Sequence, residues 1–171
     1  MATTNLSNYN FDDVPSAKGM KIAIVYATWN KEITNGLLKG AKQTLIECGC
    51  SEQDIIINKV PGSFELGLGA QFLLEKDTSI DAVICLGSVI QGETKHFDFV
   101  CDGATQGIKD VNLQYNVPVS FCLLTDTNIQ QSIDRSGGKH GNKGVECAIA
   151  CMKMIELKKS FENTSGASKL N

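Results

Sequence analysis

Apolar residues along this chain come in two alternating textures. Short unbroken runs rich in β-branched side chains ("MKIAIVYAT", "DIIINKV", "DAVICLG" and "VPVSFCLLT") have strand length and read as strands buried on both faces. Between them the apolar residues spread out to helical spacing. From Asn30 to Cys48, Ile33, Leu37, Ala41, Leu45 and Cys48 recur on one stripe, and Gly49 supplies a stop. "SFELGLGAQFLLEK" predicts a helix capped by Ser63 and weakened by Gly67 and Gly69. A third helix is predicted from about His96 to Gln114, and a short one at "NIQQSIDRS". The turn "GGKHGNKG" follows, then a last helix to about Lys158 with Val145, Ala148, Ile149, Met152 and Ile155 on one face.

Regular alternation of strand and helix implies right-handed crossovers and a parallel sheet covered on both faces. The expected fold class is α/β, a three-layer α/β/α arrangement around a four-stranded parallel sheet. One domain is expected over 20–159, with a flexible N-terminal arm at 1–19 and a disordered tail at 160–171 ("SFENTSGASKLN" closes the chain). So narrow a sheet leaves edges that another chain would cover.

Composition narrows the picture by exclusion. A net charge of -3 over 171 residues gives no reason to expect nucleic acid as a partner, though a local basic cluster can hold one phosphate. The longest apolar runs are strand-sized, so no membrane span is expected. The first twenty residues are polar, include Asp12 and Asp13, and hold no apolar core or arginine, so no export or transit signal is read there. "SKL" near the C-terminus is followed by Asn171 and is discounted as an address; the glycosylation patterns at Asn5-Leu6-Ser7 and Asn163-Thr164-Ser165 are then idle. Seven cysteines with no Cys-x-x-Cys pair read as reduced thiols in a cytoplasmic protein, with no metal site.

Ligands of open parallel sheets bind beyond the carboxyl ends of the strands, so the residues after each strand are the place to look. The first is followed by Thr28-Trp29-Asn30, the second by "PGSFE", the third by "GSVIQGETKH"; Phe121 and Thr125 lie in the fourth. Each has a plain reading as well. Trp29 can be a packing residue at a helix start and Phe121 a core residue. "PGS" can be an ordinary turn, with Gly62 in an unusual dihedral, Ser63 as cap and Glu65 complementing the helix dipole. In the cooperative reading, the peptide N–H groups of Gly92, Glu93 and Thr94 take an oxyanion and His96 moves protons beside it. Trp29 and Phe121 then sandwich a flat heterocycle, while Ser63 and Glu65 grip hydroxyls. A second polar cluster, "DRSGGKHGNKG", is either a solvated basic turn or an anion site; it departs from a P-loop because Asn142 precedes Lys143.

Four segments taken together, "ATWNKEITNGLLKGA", "VPGSFEL", "GSVIQGETKHFDFV" and "RSGGKHGNKG", resemble the lumazine synthase family of riboflavin biosynthesis, in order from about Lys21 to Leu157. The resemblance implies a flavodoxin-like fold and a transferase. That enzyme condenses 5-amino-6-(D-ribitylamino)uracil with 3,4-dihydroxy-2-butanone 4-phosphate to 6,7-dimethyl-8-ribityllumazine, phosphate and water, with no cofactor. It implies that Trp29 stacks on the pyrimidine, that Ser63, Phe64 and Glu65 hold the ribityl chain and ring, and that Ser88, Val89 and Ile90 read the ring edge. Glu93 and Thr94 would contact the butanone phosphate, and His96 would transfer protons. Phe121, Arg135 and Lys143 would come from the neighbouring subunit of a homopentamer, which in some members assembles further into an icosahedral shell.

Two departures carry expectations of their own. Gly67 stands where the family often has proline, which predicts a looser helix start. The short turn "GGKHGNKG" is similar to that of shell-forming members. A non-catalytic flavin or lumazine carrier on the same fold is the alternative; it would keep Trp29 and Phe121 and have no use for His96 and Arg135.

Overall fold

Parallel pairing fixes the centre of the molecule. The computed structural model describes residue 5 and residues 7–167. Strands β1 (Ile22–Ala27), β2 (Ile55–Val60), β3 (Ala82–Ile90) and β4 (Val119–Asp126) form one sheet in the order β2-β1-β3-β4, every pair parallel. Ile22 lies opposite both Ile55 and Ala82, so the central strands share one register.

Side-chain alternation then sorts the core into two halves. Ile22 and Ile24 of β1, with Ile84 and Leu86 of β3, face helices α1 (Lys31–Glu47) and α5 (Lys143–Ala167), where Leu37, Leu45, Met152 and Ile155 meet them. Ala23 and Val25, with Val83 and Cys85, face α2 (Leu66–Lys76) and α3 (His96–Tyr115), against Leu66, Ala70 and Ile108. The expected α/β/α layering with a four-stranded parallel sheet is what the chain adopts. A short helix α4 (Ile129–Arg135) lies beyond the end of β4, its first turn capped by the Asn128 side chain, which accepts from Gln131 N–H at 3.1 Å.

Several local expectations need correcting. The basic turn is a small antiparallel hairpin, β5 (Ser136–Gly138) with β6 (Gly141–Asn142). The hairpin is held by Asn142, whose Nδ2 donates to Gly36 O at 2.9 Å and Ser136 O at 3.2 Å. Its Oδ1 accepts from Gly144 N–H at 2.8 Å, and its own N–H donates to Ser7 Oγ at 3.0 Å. That last bond, and Tyr9 Oη donating to Glu47 at 3.2 Å, seat part of the arm expected to be free, and Ala17 is wholly buried. The tail expected to be unfolded is helical through Ala167: no Gly or Pro interrupts it before Gly166, and it elongates a helix already packed on the sheet. "SKL" at 168–170 and Leu6 of the first glycosylation pattern lie outside the described residues.

Nor is the start of α2 loose. Gly67 is buried in its first turn, and a Cβ there would sit 2.8 Å from the Gly107 carbonyl carbon of α3. The missing side chain is what lets the two helices touch.

Candidate functional site

A cleft of about 610 Å³ opens at the carboxyl end of the sheet, between the exits of β1, β2 and β3. In the order β2-β1-β3-β4 the chain leaves β1 in one direction and crosses back over it to β3, so the cleft stands at the topological switch point. The exits are tied to one another. Thr28 N–H donates to Val60 O at 3.0 Å and its hydroxyl to Pro61 O at 3.0 Å. Asn30 precedes α1 in the left-handed conformation at φ 53°, which its short polar side chain tolerates, and its Nδ2 donates to Ser88 O at 2.9 Å. Three separate loops thereby become one rim.

Trp29, Ser63, Phe64, Glu65, Ser88, Val89, Ile90, Thr94 and His96 all line this cleft. Glu93 is exposed on the turn beside it and does not line it. Phe121, Arg135 and Lys143 are also outside it. The open alternatives at the aromatics resolve by exposure: Trp29 is 67 % and Phe121 40 % exposed, so neither is a core residue. Phe97 and Phe99 extend the apolar wall.

The "PGS" turn differs from the plain reading. Gly62 is in ordinary extended backbone (φ -137°, ψ -179°), and Ser63 is no cap. The cap is Glu65, whose Oε2 accepts from Gly62 N–H at 2.9 Å. A Cβ at Gly62 would lie 3.1 Å from that oxygen, so a larger residue there would press on the cap. At the other wall, Thr94 Oγ1 accepts from the His96 N–H at 3.3 Å, fixing the entry to α3 and holding the imidazole at the mouth of the cleft.

Behind the rim lies a buried polar chain that sequence reasoning missed. Ser88 and Ser132 hydroxyls are 3.3 Å apart, and Ser132 donates to Asp126 Oδ2 at 2.7 Å. The other carboxylate oxygen, Oδ1, is 4.0 Å from Arg135 Nη1, which also donates to Gln131 O at 3.0 Å. Polar residues at a strand end and within a four-residue helical repeat were the available signal. Lys143 pairs with Glu146 at 2.6 Å; burial disfavours its ammonium, but the carboxylate outweighs this and keeps its pKa above the ordinary lysine value.

All seven cysteines are free thiols, and no cluster of three or more His, Cys, Asp or Glu among the described residues could hold a metal ion. No helix of the described residues is long and apolar enough to cross a membrane.

The family model for 6,7-dimethyl-8-ribityllumazine synthase matches residues 19–159. The chain is 55 % identical to a protein of that name from Christiangramia forsetii, over 97 % of this chain and 100 % of the relative. It is 57 % identical to one from Flavobacterium johnsoniae, over 92 % and 84 %, and 52 % identical to one from Parabacteroides distasonis, over 92 % and 99 %.

Proposed function

This chain belongs to the 6,7-dimethyl-8-ribityllumazine synthase family, and from that premise we propose how its cleft performs the condensation of riboflavin biosynthesis. The observation that carries the reading is the convergence of Trp29, the Ser63–Glu65 turn and His96 on one cleft at the switch point of the sheet. The pyrimidine stacks on the indole of Trp29. Its ribityl chain lies along Ser63, Phe64 and Glu65, and the β3 exit at Ser88, Val89 and Ile90 presents backbone to the ring edge. The butanone phosphate sits at Glu93 and Thr94, near the start of α3.

The primary amine of the pyrimidine attacks the ketone and a first water leaves as the imine forms, phosphate then leaves by elimination, and ring closure onto the remaining carbonyl expels a second water. These steps call for proton movement and a held dianion rather than a strong nucleophile, so one imidazole beside one anion site is adequate, with positioning supplying much of the acceleration. His96 is the proton-transfer group. Residues 20–159 form the catalytic unit.

The site is completed by a second subunit. Phe121, Arg135 and Lys143 are outside the cleft of their own chain, and Phe64 (60 % exposed), Phe99 (72 %) and Leu113 (75 %) leave a broad apolar surface uncovered. In a homopentamer Phe121 closes over the pyrimidine from the neighbour, while Arg135 pairs with phosphate beside Lys143. A shell of pentamers is the larger assembly consistent with the short hairpin, and the free thiols suit the reducing cytoplasm. A carrier without catalysis is not favoured, because it leaves His96 at the cleft mouth without a task. The test is to mix protein with both substrates and follow near-ultraviolet absorbance; lumazine and phosphate should appear together. Light scattering reads the assembly, and a monomer fully active in dilute solution would refute the shared site.

A further inference from the structure

We propose that Asp126 is a positioning residue serving two clefts at once: through Ser132 and Ser88 it anchors the β3 rim of its own cleft, and through Arg135 it aims the guanidinium offered to the neighbour. The inference rests on the proposed reading of Arg135 as the phosphate partner. It goes beyond that reading by assigning tasks to Asp126 and Ser132, which do not line the substrate cleft.

Hydrogen-bond bookkeeping sets the direction of the chain. Ser132 is wholly buried and has one hydroxyl proton, which it gives to Asp126 Oδ2 at 2.7 Å. It can therefore only accept from Ser88, 3.3 Å away, so the Ser88 hydroxyl is committed as a donor toward α4. With its carbonyl taken by Asn30 Nδ2 at 2.9 Å, Ser88 is gripped from both sides. The rim residue thus depends on a carboxylate two steps away.

The other half of the chain faces outward. Asp126 Oδ1 stands 4.0 Å from Arg135 Nη1, near enough to orient a charge and too far to be a closed bidentate pair. Arg135 is held on the inner side by Gln131 O at 3.0 Å, so Asp126 and the Gln131 carbonyl define the direction of the remaining donors. The strand itself is rigidly placed, with Asp126 O accepting from Gln91 N–H at 2.9 Å at the start of the anion-binding turn. One residue therefore touches both the loop that takes substrate in this subunit and the cation for the next.

The experiment compares steady-state kinetics of wild type, Asp126→Asn, Ser132→Ala and the double variant, with each substrate varied in turn. Asparagine still accepts from Ser132 but turns an amide, not a carboxylate, toward Arg135. Asp126→Asn should therefore raise KM for the butanone phosphate by about three- to tenfold, the scale of one charge-assisted contact, with KM for the pyrimidine near wild type. Ser132→Ala releases both Ser88 and the carboxylate and should raise both KM values. The double variant should be no worse toward phosphate than the more affected single one, since both cut the same chain.

A purely structural Asp126 would lower the thermal midpoint and move both KM values together, which would overturn the proposal, as would unchanged kinetics. Should Asp126→Asn assemble poorly, Ser132→Ala decides alone: an unaltered phosphate KM overturns the coupling. Wild type making no lumazine would defeat the functional reading itself; active wild type with indifferent variants would defeat only this inference.

Discussion

Helices α2 and α3 approach each other through two glycines, and the contact is lopsided. A Cβ built on Gly67 falls 2.8 Å from the Gly107 carbonyl carbon and 3.1 Å from its Cα and O, all backbone atoms that cannot rotate away. A Cβ on Gly107 meets nothing nearer than the Gly67 Cα at 3.9 Å, ordinary contact. Gly67→Ala must therefore push the helices apart by several tenths of an ångström. Overpacking of this kind costs about 1–3 kcal/mol, against which alanine returns roughly 1 kcal/mol of helix propensity. The net loss is up to about 2 kcal/mol, or a fall in Tm of up to about 8 °C for a chain of this size. Gly107→Ala incurs no clash and keeps the propensity gain, so its Tm should hold or rise by up to about 3 °C. Scanning calorimetry at one fixed protein concentration is the assay, because association shifts apparent stability. Because α2 follows the Ser63–Glu65 turn and α3 begins at His96, Gly67→Ala should also raise KM for the pyrimidine. A Gly67→Ala midpoint at or above wild type, or equal falls for both variants, would refute the reasoning.

His96→Ala should lower kcat by about ten- to a hundredfold with little change in either KM, since ordered substrates retain much of the acceleration; a loss of only a few per cent would remove it from proton transfer. Thiol reactivity should follow burial. Burial pushes Cys85 and Cys122 far up and Cys151 up to about 12, whereas Cys48 and Cys101, also raised, are partly exposed. Iodoacetamide at neutral pH with peptide mapping should mark Cys48 and Cys101 first, and equally fast labelling of Cys85 would contradict this. Hydrogen bonds from Lys21 and Ser79 hold Asp77 far below the usual carboxylate value, and Gln130 followed by Lys139 lowers Asp134. Folded values below unfolded ones mean that the stability these two groups contribute is complete above about pH 4 and is lost as pH falls further. Urea midpoints between about pH 5 and pH 3 should fall less steeply in Lys21→Met; identical slopes would show the pair contributes nothing.

The sheet and its layers were legible because a doubly covered strand must be apolar along most of its length, as Ile22–Val25 of β1 and Ala82–Leu86 of β3 are, and that texture differs visibly from the stripe of α1. Most of the cleft was legible for a related reason: a tryptophan, a Pro-Gly turn and a histidine after strand ends have few other uses in a parallel sheet. Asn30, Ser132 and Asp126 were not. Their roles depend on which carbonyl or hydroxyl faces them across the fold, and local sequence holds no record of that. Ser63 was misassigned to the cap and the Glu65 bond to the Gly62 N–H was missed, because either side chain can satisfy a turn and only geometry chooses. The hairpin escaped notice since its strands, Ser136–Gly138 and Gly141–Asn142, are too short and too glycine-rich to carry alternation. At the tail, polar composition suggested unfolding, but a helix seated on the sheet continues by elongation at little cost.

The amide of Asn142 has a consequence for the two cations on either side of it. Arg135 ends α4 and Lys143 begins α5, and the seven residues between them are the hairpin that this one side chain stitches to α1 and to its own flanks. The separation of the two backbone positions that carry guanidinium and ammonium is therefore set while the protein is empty. On the proposed reading, an incoming dianion would meet two backbone anchors whose spacing has already been settled, with little of its binding energy diverted into stilling a loop.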